Sequence, residues 1–145
     1  MRKIHLISIS DPLIYELALA IRDRGYDVTV SGEHVPENVR AVLEEKSIGC
    51  FGDGWYPDRL TKETQSVVLG SLVTKDNPEL LRAKELGLLV LSIPEFIYQR
   101  TKTKIRVVVT GSRGRRAILS MIVAALKKQN LPFDYATTSD VALLD

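Results

Sequence analysis

The sequence predicts an α/β fold: a Rossmann-like parallel sheet with helices on both faces, in three α/β/α layers. Three observations predict it. Short runs of branched apolar residues recur along the chain, each is followed by apolar residues at helical spacing, and Gly, Asn or Pro marks the joins. Strands that alternate with helices need right-handed crossovers, which place helices against a parallel sheet.

The first strand is read at residues 4–9, short and branched. Asp11 is suited to cap the helix that follows, Pro12 fits its first position, and Leu13, Leu17, Ala20 and Ile21 give its apolar face until Gly25. The unit then repeats. Residues 28–31 read as a strand, Pro36 opens a helix carrying Val39, Val42 and Leu43, and residues 48–51 form a short third strand before a loop at 52–57. Residues 66–70 form the next strand, and Asn77 with Pro78 starts a helix with Leu80, Leu81 and Ala83 that stops at Gly87. Residues 88–91 are a fifth strand, 94–100 a short helix, and 101–104 a charged link that is the best internal boundary. Beyond it residues 105–110 are nearly all β-branched, as a central parallel strand would be, and a long helix with Ile118, Met121, Ile122, Ala125 and Leu126 follows. Asn130 and Pro132 end that helix, 133–136 read as a last strand, and 137–145 as a loose tail.

Two units are therefore expected: residues 1–100 as the Rossmann-like domain, and 101–145 as a strand, loop and helix added to the same sheet or exchanged between two copies. A strand edge as apolar as Val107, Val108 and Val109 invites pairing, so a homodimer or a partner protein, or else the last helix, is expected to cover it.

With 145 residues the chain can bury about 70 per cent of its unfolded surface in one core. Its 45% hydrophobic and 26% charged residues match ordinary globular proteins and exclude bulk disorder. No apolar run reaches the roughly 18 to 20 residues of a membrane helix, and the opening stretch is too brief for a signal peptide, so a cytoplasmic location without membrane contact is expected. The single cysteine, Cys50, has no partner for a disulfide and no neighbouring ligands for a metal, and reads as a core or half-buried thiol. Charge is uneven: residues 1–100 hold 12 basic and 15 acidic groups, residues 101–145 hold 8 and 3. The positive potential belongs to the last third, and it marks either an anion-binding region or a solvated basic face.

In parallel sheets of this kind ligands sit beyond the carboxyl ends of the strands, so the loops to examine follow Ile9, Ser31, Gly70 and Thr110. No Gly-x-Gly-x-x-Gly follows the first strand, which argues against a nicotinamide-binding domain. A nucleic-acid module would need aromatics interleaved with a repeated basic face, and these are missing. His5, on an apolar strand, reads as a core histidine with its hydrogen bonds satisfied, His34 as a surface turn residue, and Trp55 and Tyr56 as a lid over the core.

The opening IHLISIS, the segment GWYPDRLTKETQSVVLGSLVTKDNPELLRAKELGLLVLSIPEF and the run VVVTGSRGRR with its apolar helix resemble Mur ligases over residues 4–135. Within that family the likeness is strongest to the muramate-alanine and murein-peptide ligases. The resemblance implies a domain that holds the UDP moiety of a peptidoglycan precursor, followed by the opening strand and helix of an ATP-binding domain. It places glycines in the first loop, where this chain has Ser8, Ser10 and Asp11. Asp11 at a helix start would repel a phosphate, and it is read first as a cap. The family's acidic residue after the second strand corresponds to the stretch with Ser31 and Glu33, displaced by one position. Gly70, Ser71 and Asn77 match the loop that lies beside the nucleotide in the family, although a turn and a helix cap explain Gly70 and Asn77 as well.

The run Gly111, Ser112, Arg113, Gly114, Arg115, Arg116 takes the place of the family's phosphate loop. Such a loop needs glycines for the amide cradle, a lysine for the outer phosphates and a hydroxyl for magnesium. Gly111 and Gly114 keep the turn. Arg115 brings a planar fork of different reach, and Arg116 puts a cation where the metal ligand should be. No catalytic residue, no metal site and no cofactor are expected of this chain alone, with ATP and magnesium entering only if the altered loop still works. The functional expectation is a truncated or catalytically degenerate Mur-ligase-like domain, binding at most a UDP-sugar or phosphate. Two alternatives stay open: the N-terminal part of an active ligase completed by other domains, and an anion or nucleic-acid module using Arg113, Arg115 and Arg116.

Overall fold

The computed structural model describes residues 2–137 and the strand at 141–142. Five parallel strands form the sheet: β1 (Lys3–Ile7), β2 (Asp27–Ser31), β3 (Gly49–Cys50), β4 (Thr64–Leu69) and β5 (Leu89–Ser92), in the order β3-β2-β1-β4-β5. β1 is central, pairing Ile4 with Val28 on one side and with Ser66 on the other. The expected α/β class holds, and order reverses between β1 and β4.

Alternation along the strands decides which helix covers which face. Leu6, Val28, Val30, Val68 and Leu91 point into a core with α1 (Pro12–Asp23), α2 (Glu37–Glu45) and α4 (Ile93–Arg100), through Leu17, Ile21, Leu43 and Phe96. Ile7 and Val67 point the other way, against Ala83 of α3 (Pro78–Glu85) and Leu60. Local sequence sets the helix starts. Asp11 accepts a hydrogen bond from Leu13 N, Asn77 from the N–H groups of Glu79 and Leu80, and Ser92 with Glu95 makes a reciprocal capping box, each ahead of a proline in the first turn.

Residues 105–110 depart from expectation. They join no strand ladder, and Ile105 and Val108 are 98% and 80% exposed. α4 runs from β5 back across the sheet, and Arg100 stacks 4.5 Å from the ring centre of Tyr26, the residue just before β2. The chain thus leaves the sheet on the β2 side, away from the free edge of β5, and a β-branched run without a neighbouring strand has nothing to pair with. The helix after it, α5 (Arg115–Lys128), buries none of the residues read as its apolar face. Residues 105–131 therefore form a projecting arm. Both ends are fastened at one carboxylate: Arg24 Nη2 lies 2.9 Å and Lys104 Nζ 3.3 Å from Asp134.

The tail is also partly structured. Tyr135–Ala136 (β6) pairs antiparallel with Val141–Ala142 (β7), which lies beside α1, while residues 138–140 and 143–145 fall outside the described ones. No described helix is long and apolar enough to cross a membrane.

Candidate functional site

The loops after β1, β2 and β4 meet at the switch point of strand order, as the topology requires. β1 ends two residues earlier than the sequence suggests because Ser8 takes a left-handed φ of 80°. Ser8 N and Ile9 N donate to Ser31 O at 2.9 and 2.8 Å, and Gly70 N donates to Ile7 O at 3.0 Å, so three loops are laced by backbone. Gly70 is there for close approach: a Cβ on it would lie 2.9 Å from Ser8 Cβ and 3.1 Å from Ile7 O.

Ser8 lacks the freedom of glycine at a φ where side chains are strained. Ser8→Gly is therefore expected to raise stability by about 0.5–1 kcal/mol, a few degrees in melting temperature. A thermal melt unchanged or lowered would contradict the strain.

Beside these loops is a cleft of about 320 Å³ lined by Ser8, Ser10, Glu33, Trp55, Asp76 and Asn77 among others. Ser10 Oγ donates to His34 O at 2.7 Å. Among the described residues no Lys, Arg or His lines the cleft. Asp11 is 9% exposed and faces the α1 start with one oxygen, 3.0 Å from Leu13 N. Its other oxygen accepts from Ser71 N at 2.9 Å and Ser71 Oγ at 2.7 Å. Burial pushes the Asp11 carboxyl up, but these hydrogen bonds from Ser71 and the α1 amides outweigh it and hold it below the ordinary aspartate range. Asp11, read from the sequence as a cap, is a cap and also a clasp between two loops.

Of the residues singled out in sequence, Ser8, Ser10, Asp11, Ser31, Glu33, Gly70, Ser71 and Asn77 thus gather around one place. Ser31, however, points beneath the cleft: its hydroxyl donates to Glu79 Oε2. Gly111, Ser112, Arg113, Gly114, Arg115 and Arg116 do not join them. All six are exposed at the tip of the arm, and Gly114, at φ 76°, heads α5 without a side-chain cap. Among the described residues no group of three or more His, Cys, Asp or Glu side chains is placed to hold a metal ion.

Glu79 is the residue that sequence reasoning missed. It is 0% exposed in the first turn of α3, and its carboxylate accepts from His5 Nε2 at 3.3 Å, Ser31 Oγ and Tyr56 N at 2.8 Å. A carboxylate only accepts, so Nε2 carries the proton, and Nδ1 lies 2.8 Å from Thr29 Oγ1. Burial pushes Glu79 up, and the bonds from His5, Ser31 and Tyr56 more than reverse it, leaving the carboxyl below its ordinary range. His5 on an apolar strand was the available signal, since a buried imidazole demands polar partners. The partner was hidden because glutamate in a first helical turn is already explained by the helix dipole.

Comparison with known proteins fits this arrangement. No family model matches the chain. The UDP-N-acetylmuramate–L-alanine ligase of Carboxydothermus hydrogenoformans is 32% identical over 130 residues, covering 89% of this chain and 27% of that protein. The chain is related to the N-terminal region of the Mur ligases. It spans about a quarter of the length of the curated relatives it matches. The UDP-N-acetylmuramate-alanine ligase of Thermotoga maritima superimposes with a TM-score of 0.76 at 20% identity, over 99% of this chain and 35% of that one. A murein peptide ligase from Psychrobacter arcticus gives 0.77 at 20% identity, over 100% and 34%. Those likenesses fix the fold as that of the Mur ligases' Rossmann-like part.

Proposed function

We propose that this chain acts in the cytoplasm as a Mur-ligase-type N-terminal domain that performs no ATP-dependent ligation by itself. It binds at most weakly a UDP-N-acetylmuramate-type nucleotide, at the cleft, or a phosphate. Residues 1–100 make the domain, and 101–145 are the added segment that carries the altered phosphate loop. The observation that carries this reading is the pair Arg115 and Arg116 at the exposed start of α5. A guanidinium cannot ligate magnesium, and two cations at a helix N-terminus oppose its dipole, so these residues do not fit a magnesium nucleotide. Calorimetric titration with ATP and magnesium is expected to give no binding, and tight magnesium-dependent binding would sink the reading.

A second reading, an active ligase completed by other domains, is favoured by the length of the relatives, of which this chain matches about a quarter. Ligase activity recovered on mixing with the remaining domains of a relative would select it. Under either reading the arm, with Ile105, Val107, Val108 and Met121 exposed, is covered by a second copy or a partner protein. Light scattering on the purified chain is expected to give a dimer, abolished by Val108→Lys, and a monomer at high concentration would count against self-association.

A further inference from the structure

We propose that Asp11 is a built-in stand-in for a ligand phosphate, and that it makes the cleft favour the neutral, hydroxyl-bearing part of a nucleotide over its diphosphate. The proposal rests on the weak-binding cleft described above and names what that cleft selects. At a switch point of this topology the start of the first helix and the facing loop supply N–H donors to a diphosphate. Here a carboxylate tethered to the chain takes those donors. Leu13 N is bound to one oxygen of Asp11, and both Ser71 N and Ser71 Oγ are bound to the other.

Two further observations point the same way. Ser71 sits directly after Gly70, whose missing Cβ lets the two loops close to contact, so the clasp fills the space between them. The cleft beside the clasp carries Glu33 and Asp76 and, among the described residues, no cation to answer a phosphate. A diphosphate entering there would meet the carboxylates of Glu33 and Asp76, with the Asp11 clasp beside them, and like charges so placed disfavour binding. What the cleft keeps suits an uncharged ring with hydroxyls: Glu33, just beyond β2, can accept from a diol, and Trp55 offers an indole wall.

The test is calorimetric titration of the full chain at neutral pH with uridine, UDP and inorganic pyrophosphate, for the unchanged protein and for Asp11→Asn and Asp11→Ser. Asn and Ser both still cap a helix, so folding, followed by thermal melts, survives in at least one variant while the charge is gone. The unchanged protein is expected to bind uridine at least as well as UDP and not to bind pyrophosphate. Either variant is expected to gain on the order of tenfold for UDP relative to uridine. Two results would overturn the clasp but leave the cleft reading standing: UDP preferred over uridine by the unchanged protein, or a UDP-to-uridine ratio unmoved in both variants. Absence of binding by every ligand to every variant would remove the cleft reading, and the proposal with it.

Discussion

Glu79→Ala is expected to lower folding stability by about 3–5 kcal/mol, because it breaks a buried polar cluster by removing the carboxylate at its centre. The carboxylate joins β1 through His5, β2 through Ser31 and the loop at 52–57 through Tyr56 N, and lies fully out of water. Without it Ser31 Oγ and Tyr56 N lose their acceptor, and His5 Nε2 is left with Ser31 Oγ at 3.4 Å. Urea titration should show a lower midpoint with an unchanged slope, and Glu79→Gln, which keeps an acceptor oxygen, should lie between. A loss under about 1 kcal/mol would mean that the cluster is not a structural keystone. The same group predicts acid sensitivity. A carboxyl held below its ordinary value of 4.5 contributes stability at pH above that value, and the contribution is lost as pH falls through the lower folded value. Unfolding by acid should therefore steepen below that pH in the unchanged protein and flatten in Glu79→Gln.

The second large effect is expected at Gly70→Val. The first added carbon already falls within 2.9 Å of Ser8 Cβ, 3.1 Å of Ile7 O and 3.3 Å of Ile14 Cγ1. Two of those three neighbours belong to the core-facing backbone and α1 core, which yield poorly, so overpacking of about 1–3 kcal/mol is expected. The β1 and β4 loops must separate, and that pulls Ser71 from Asp11. Amide hydrogen exchange at Ser71 should accelerate more than exchange in α2, which lies away from the contact. Equal acceleration throughout would indicate global loosening without a local wedge.

How much of this was legible without a structure depended on the range of the interactions involved. The caps at Asp11, Asn77 and Ser92 act within three residues, so short-range chemistry reveals the helix starts they make. Strand and helix alternation, set by side-chain period, likewise made the five strands of the sheet legible, whereas the face each presents came from the packed structure. The site was legible as a set of loops, since a parallel sheet sends its ligands to the carboxyl ends of its strands. It was not legible as a network. That Asp11 grips Ser71, and Glu79 grips His5 and Ser31, joins residues 60, 74 and 48 positions apart.

The arm shows the same division most sharply. Nothing local distinguishes residues 105–110 from β4: both are branched, apolar and flanked by turn residues. Local sequence determined that each could be extended. Whether extension becomes a strand was decided by neighbours: β4 lies between β1 and β5, whereas α4 carries residues 105–110 away from the sheet edge. Backbone hydrogen bonds need a second strand in register, and only the path of the folded chain supplies one.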